Sequence, residues 1–203
     1  MQQQYFTKLL FALTLVTSMF TACRRDKETD TTSPAYHLSE SEKLAMPAAV
    51  DLPANMPNGN TRIATLYADG VQKYKAQLKA GSNPAAYEWV FVAPQADLYD
   101  ATNKKVGTHS AGPTWQLFGD ADSIYGQQFS PPRSAASPDA ASIDWLLLMP
   151  KTGKPQTGMF SQVSYIQRIA TQGGKAPLTP PVSIDQTVDV KYTAVYRFAK
   201  KNS

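Results

Sequence analysis

The sequence predicts an all-β protein, a single-domain β-sandwich or barrel-like fold of about nine short strands, preceded by a signal peptide and a flexible N-terminal tether. Three observations carry that prediction. From residue 61 onward, short runs rich in β-branched and aromatic residues recur along the chain. Clusters of Gly, Pro, Asn and Asp separate them, as turns require. The last run alternates with the two-residue period of a half-buried strand. Val188, Val190, Tyr192, Ala194, Tyr196 and Phe198 fall on one face; Asp189, Lys191, Thr193 and Arg197 fall on the other.

The first 22 residues read as an address rather than as structure. Lys8 supplies a short positive region, and Leu9 to Phe20 is an apolar stretch of signal-peptide length. It is shorter than the roughly 20 apolar residues a permanent transmembrane helix needs. It ends at Phe20-Thr21-Ala22-Cys23, which resembles the lipobox of bacterial lipoproteins, with Phe at the position where Leu is usual. That resemblance implies cleavage before Cys23 and acylation of its thiol, with the membrane as a partner through the lipid. It also implies export to the cell envelope, with the outer membrane as the expected location. Acyl chains hold firmly because each buried methylene contributes about 0.8 kcal/mol. Residues 23–50 read as the tether. Arg24 to Pro34 is charged, polar and aperiodic, as a solvated linker is. Leu38 to Ala45 permits a short helix with Ser39 as N-cap and Glu42 as its capping-box partner, and Pro47, Pro53 and Pro57 forbid a longer one.

The β-rich domain is expected over residues 51–199, with 200–203 as a polar tail. Ile63–Ala68 and Val71–Gln77 read as a hairpin around Asp69-Gly70, a strong turn dipeptide. Tyr87 to Ala93 has the composition of a buried strand, and a short strand follows over Ala96–Asp100. Thr114–Phe118 and Ile124–Phe129 form another expected pair. Residues 130–142, rich in Pro, Ser and Ala, read as a surface loop, and Ile143 to Met149 as a central strand. Over 159–171 the three-residue spacing of Phe160, Val163, Ile166 and Ile169 permits a helix. The composition of Val163–Ile166 favours a strand, and strand is the reading adopted.

Composition excludes several classes of function. The chain has 203 residues, 42% of them hydrophobic, enough to build a core. Its single Cys excludes an intrachain disulfide framework and a Cys-based zinc site, and two His argue against a multi-His metal centre. No metal and no cofactor is expected. A net charge of +4 without a long Lys/Arg run argues against nucleic acid as a partner. The glycine-rich dinucleotide and nucleotide loops, the zinc-protease helix motif and the serine-hydrolase elbow are all absent from the sequence.

Three clusters remain as candidates for chemistry. His109 stands in Gly107-Thr108-His109-Ser110-Ala111-Gly112-Pro113-Thr114-Trp115, where flanking glycines let the backbone turn tightly and a ligand approach the ring. It is the candidate general acid or base, or else a turn histidine locked by hydrogen bonds with Trp115 filling the core. Gln167 and Arg168 precede the Gly173-Gly174 turn. Arg168 is a candidate clamp for a carboxylate or phosphate, or a partner of Asp97, Asp100 or Asp144. Trp89, Trp115, Trp145, Tyr74 and Tyr165 form an aromatic set that suits a ligand platform or simply a core. Candidate binding residues are therefore Arg168, Gln167, Trp115 and Tyr74. Asp120 and Asp122 supply too few oxygens for calcium and read as a solvated turn.

Taken in order, these motifs resemble a known family. Gly70-Val71-Gln72-x-Tyr74, Trp89-x-Phe91-x-x-Pro94-x-Ala96-x-Leu98 and Gly107-x-His109-x-x-Gly112-Pro113-x-Trp115 come first. Trp145-Leu146-Leu147-Leu148, Tyr165-Ile166-Gln167-Arg168 through Gly173-Gly174-x-Ala176-Pro177, and Tyr192-Thr193-Ala194-x-Tyr196-x-Phe198 complete the series. Together they resemble the family called domain of unknown function 3455, over residues 50–198. The resemblance implies an exported bacterial or secreted fungal protein with no assigned activity. Similar proteins often carry one Cys after the first Gln-x-Tyr and another after the Gly-Gly-x-Ala-Pro run. Both are missing here, which favours a structural role for any bond they form elsewhere. Two functions follow as expectations. One is a non-catalytic envelope domain that binds a saccharide, a small molecule or a protein. The other is an envelope enzyme with His109 as acid/base and Arg168 as anion clamp.

Overall fold

The computed structural model describes residues 30–119 and 122–203; the expected signal peptide, Cys23 and Asp120 lie outside them. Eight antiparallel strands follow one another around a closed barrel. They are β1 (Asn60–Leu78), β2 (Tyr87–Tyr99), β3 (Lys105–Ser110), β4 (Thr114–Leu117), β5 (Ser123–Ala135), β6 (Trp145–Pro150), β7 (Tyr165–Gly173) and β8 (Thr187–Lys201). β8 pairs back onto β1, from Asn60 opposite Lys201 to Lys75 opposite Thr187, and closes the ring. The expected all-β fold is present, as a barrel of eight strands where about nine were expected.

The expected Tyr87–Ala93 and Ala96–Asp100 are one continuous strand, β2, and β3 is a strand not expected from the sequence; the remaining difference comes from Asp69-Gly70. The dipeptide makes no hairpin; β1 runs straight through it. Asp69 and Gly70 face Asp97 and Ala96 on β2, and Thr193 and Tyr192 on β8. A turn here would give up both ladders. The glycine serves close approach instead: a Cβ on Gly70 would collide with the Gln95 carbonyl and with Ala96. Two further expectations shift. The stretch from residue 130 is not all loop, because β5 continues to Ala135. Its register with β6 breaks between Gln128 and Arg133, and that break accommodates Pro131 and Pro132, which have no N–H to give. In 159–171 the strand begins only at Tyr165, after a 3-10 turn over Gly158–Phe160.

Alternation sorts the side chains into two clusters. Leu66, Leu98, Trp115, Ile124, Ile166, Tyr196 and Phe198 belong to the cluster inside the barrel. On the outer surface of β1, β6, β7 and β8, Tyr67, Trp145, Leu147, Ile169 and Val195 form a second cluster with Leu38 and Val50. These last two come from a segment expected to be a free tether. Residues 34–52 instead form a strap on the barrel. It starts with helix α1 (Pro34–Ser41), capped by Ser33, whose hydroxyl accepts from the Tyr36 N–H, and carrying Pro34 in its first turn. The helix thus begins and ends several residues before the expected Leu38–Ala45, because Ser33-Pro34 is the stronger start signal.

Polar groups under the strap bind its backbone. The Arg197 guanidinium donates to the Ser41 carbonyl (2.7 Å), and Gln167 Nε2 donates to the Val50 carbonyl (2.8 Å). Arg133 donates to the carbonyls of Ala48, Ala49 and Asp51. Glu42 pairs with both Arg62 and Arg197.

Candidate functional site

At one end the barrel is filled by rings and aliphatic side chains, with Phe160 and Phe198 in contact at 4.8 Å between centroids. Towards the other end lies a cavity of about 160 Å³. Its apolar walls include Pro94, Trp115, Leu146 and Leu148, with Phe91 half-exposed at the mouth. Its polar groups are Gln72, Gln128, His109, Arg168 and the hydroxyl of Tyr196.

Strand phase puts each of these residues there. His109 comes from β3 and faces Trp115 on β4 in register, and their rings stack 4.6 Å apart. Arg168 faces Tyr196 on β8 and Leu146 on β6 in register. Gln72 lies two residues on from Gly70 and in phase with it.

His109 is 3% exposed and both of its ring nitrogens are engaged. Nδ1 meets the Thr114 carbonyl at 2.9 Å and therefore carries the proton, since a carbonyl only accepts. Nε2 then accepts from the Tyr196 hydroxyl at 3.1 Å. Burial pushes the imidazole pKa down to about 4, against the bond to Thr114, and the nearby positive charge of Arg168 adds to the lowering. His109 is thus a neutral, fully bonded ring at pH 7. Burial raises the pKa of Tyr196 above the ordinary phenol value, with the Arg168 charge acting in the opposite direction.

Arg168 is half-buried, and its Nε and Nη2 both donate to the Asp144 carbonyl, at 3.1 and 2.8 Å. The expected partner residue Asp144 is thus met through its backbone, and Arg168 forms no ion pair with a carboxylate among the described residues. Two other residues that line the cavity carry donors without an acceptor. Gln72 Nε2 and Trp115 Nε1 are buried and make no hydrogen bond. The Gln72 amide is close enough to the Tyr192 hydroxyl to favour its ionised form, yet no hydrogen bond of normal length joins them.

The structure brings together only part of the sequence-expected set. His109, Arg168 and Trp115 share the cavity. Tyr74 lies inside the barrel beyond the cavity lining, its hydroxyl donating to the Gly174 carbonyl at 2.6 Å. Gln167 is a correction: it points outward, under the strap, because it neighbours Arg168 and strand side chains alternate. The aromatic set is dispersed rather than a platform. Trp145 packs outside under the strap, and Trp89 donates to the Thr179 carbonyl. Among the described residues, no cluster of three His, Cys, Asp or Glu side chains is placed to hold a metal ion. The site residues not foreseen are Gln72, Gln128 and Tyr196. The available signal was phase, since Gln72 is a polar residue in the inward register of a strand whose neighbours in phase are Ala68 and Gly70.

No curated protein and no solved structure matches the chain. A family model does, described as "Protein of unknown function (DUF3455)", over residues 57–200, which span the whole barrel. The chain therefore belongs to this family of proteins of unknown function.

Proposed function

We propose that this is an exported, lipid-anchored protein of the bacterial cell envelope whose barrel binds a small ligand without transforming it. The anchoring half rests on the apolar segment and the Thr21-Ala22-Cys23 sequence. The binding half rests on one observation: a cavity that opens at one end of the barrel and is lined by buried donors with no acceptor. Buried polar groups are nearly always bonded, and an exception lining a cavity points to a missing partner.

Catalysis by His109 is the weaker reading. The histidine and Arg168 do line one cavity. A general base near neutral pH, however, needs a free nitrogen and a pKa close to 7. His109 has both nitrogens bonded and a pKa of about 4.

Two experiments test the two halves. Fractionation of cells making the full chain is expected to place it in membranes, and Cys23→Ser is expected to release it; retention of the variant would refute the lipid anchor. A thermal-shift screen of saccharides, organic acids and lipids is expected to give ligands that raise the melting temperature. Leu146→Trp, which fills the cavity, is expected to abolish that response. Responses that survive this filling would place binding elsewhere, and turnover of any hit that His109→Gln abolishes would establish the enzyme.

A further inference from the structure

Resting on the binding reading, we infer that the cavity takes a small carboxylate with a flat apolar body, about the size of a single aromatic ring. The class follows from the imbalance of the polar groups. Three residues that line the same cavity carry donors: the Arg168 guanidinium, Gln72 Nε2 and Trp115 Nε1. The first has no carboxylate partner among the described residues, and the other two make no hydrogen bond. Two of the groups able to accept beside them are already in use. His109 Nε2 accepts from Tyr196, and the Thr114 carbonyl accepts from His109. A ligand that only accepts, and carries a negative charge, meets all three donors and the Arg168 charge; a cation meets neither, and a neutral hydroxyl can accept but leaves the charge uncompensated.

Arg168 also stands on the strand that forms one wall of the cavity, held in place by its two bonds to the Asp144 carbonyl. A guanidinium fixed in this way loses little freedom when it binds a carboxylate. The body of the ligand follows from the walls, which are Trp115, Pro94, Leu146 and Leu148, and from the size. A volume of about 160 Å³ is close to the ~150 Å³ of an apolar cavity that holds benzene. It is well below the ~300 Å³ at which pockets for larger ligands begin.

Benzoate, its neutral counterpart benzyl alcohol, and inorganic phosphate are the probes, titrated into the purified full-length protein by calorimetry. The expected result is saturable binding of benzoate, at least about tenfold tighter than benzyl alcohol, because a hydrogen bond to a charged group is worth roughly 1.5–3 kcal/mol. Arg168→Gln is expected to remove that tenfold preference, and Arg168→Lys to retain part of it. The comparison of probes on the unaltered protein needs no variant to fold. Equal affinity for benzoate and benzyl alcohol overturns the carboxylate and leaves the binding reading standing. Binding of phosphate but not benzoate overturns the apolar body. No binding of any probe, with hits from the wider screen still lost on filling the cavity, overturns this inference alone; no hits at all overturn both.

Discussion

Arg168 and Arg197 stand on neighbouring strands one register step apart, since Arg168 pairs with Tyr196 and Gln167 with Arg197. They face opposite sides of the same sheet and end in opposite circumstances. Arg197, on the outer face, has Glu42 at 3.4 Å and the Ser41 carbonyl at 2.7 Å, both supplied by the strap. Arg168, on the inner face, has a single backbone carbonyl and no described carboxylate. The strap supplies the outer, buried arginine with a carboxylate and a carbonyl, although its Nε finds no partner. The inner, half-buried arginine receives no carboxylate from the described chain. Removing a charge from water costs free energy unless it is compensated, and this difference between adjacent positions is what supports the proposed binding.

Removing the strap should break the comparison most severely. Deleting residues 30–52 uncovers Tyr67, Trp145, Leu147, Ile169 and Val195. At about 1.5–3 kcal/mol per large apolar side chain returned to water, the loss is on the order of 10 kcal/mol. Urea denaturation would register it, and a variant as stable as the parent would show the strap to be dispensable.

The next effect comes from His109. Its folded pKa of about 4 lies below the ordinary histidine value of 6.5. Between those values the unfolded chain binds a proton and the folded one does not, so stability rises with pH across the window. It is fully present above 6.5 and lost as pH falls towards 4. The full difference is about 3 kcal/mol. Burial also lowers the pKa of His37, which therefore adds a dependence of the same sign. The slope that His109→Gln removes from denaturation curves between pH 4 and 7 is therefore the quantity to measure. An unchanged slope would mean that the imidazole is not buried neutral.

The arginines themselves sharpen the contrast. Arg197→Met should cost about 2 kcal/mol, trimmed by the half-exposure of Glu42, whereas Arg168→Met in the unliganded protein should cost less than about 1 kcal/mol. Equal costs in paired denaturation curves would dissolve the distinction. Smallest is Gln72→Leu, which removes a buried amide with an unmet N–H and is expected to stabilise the free protein by about 1 kcal/mol. A destabilised variant would mean that the amide is satisfied in solution.

Local pattern made the strand content legible, and β8 shows why. Its inward set of Val188 to Phe198 could be read residue by residue because alternation is a local property. Asp69-Gly70 misled for the complementary reason. The dipeptide favours a turn locally, but pairing on both sides and the tight approach of β2 override it, and neither is visible in one dimension. The strap was read as solvated because its charged start was weighed over Leu38 and Val50, whose partners lie far along the chain. In the site, His109 and Arg168 stood out as rare chemical types in informative surroundings. Gln72 and Tyr196 looked like ordinary strand residues, and only barrel closure brings them to the same cavity.

Closure also gives the molecule two poles. β1 begins and β8 ends at the same rim, where the Ala35 N–H, near the start of the strap, bonds Asn103 in the β2–β3 turn. The cavity, with Phe91 and Gln128 at its mouth, lies towards the other rim. A surface holding the N-terminus would therefore sit at the sealed pole. On the anchoring proposed above, the mouth would then face away from that surface, towards the open compartment.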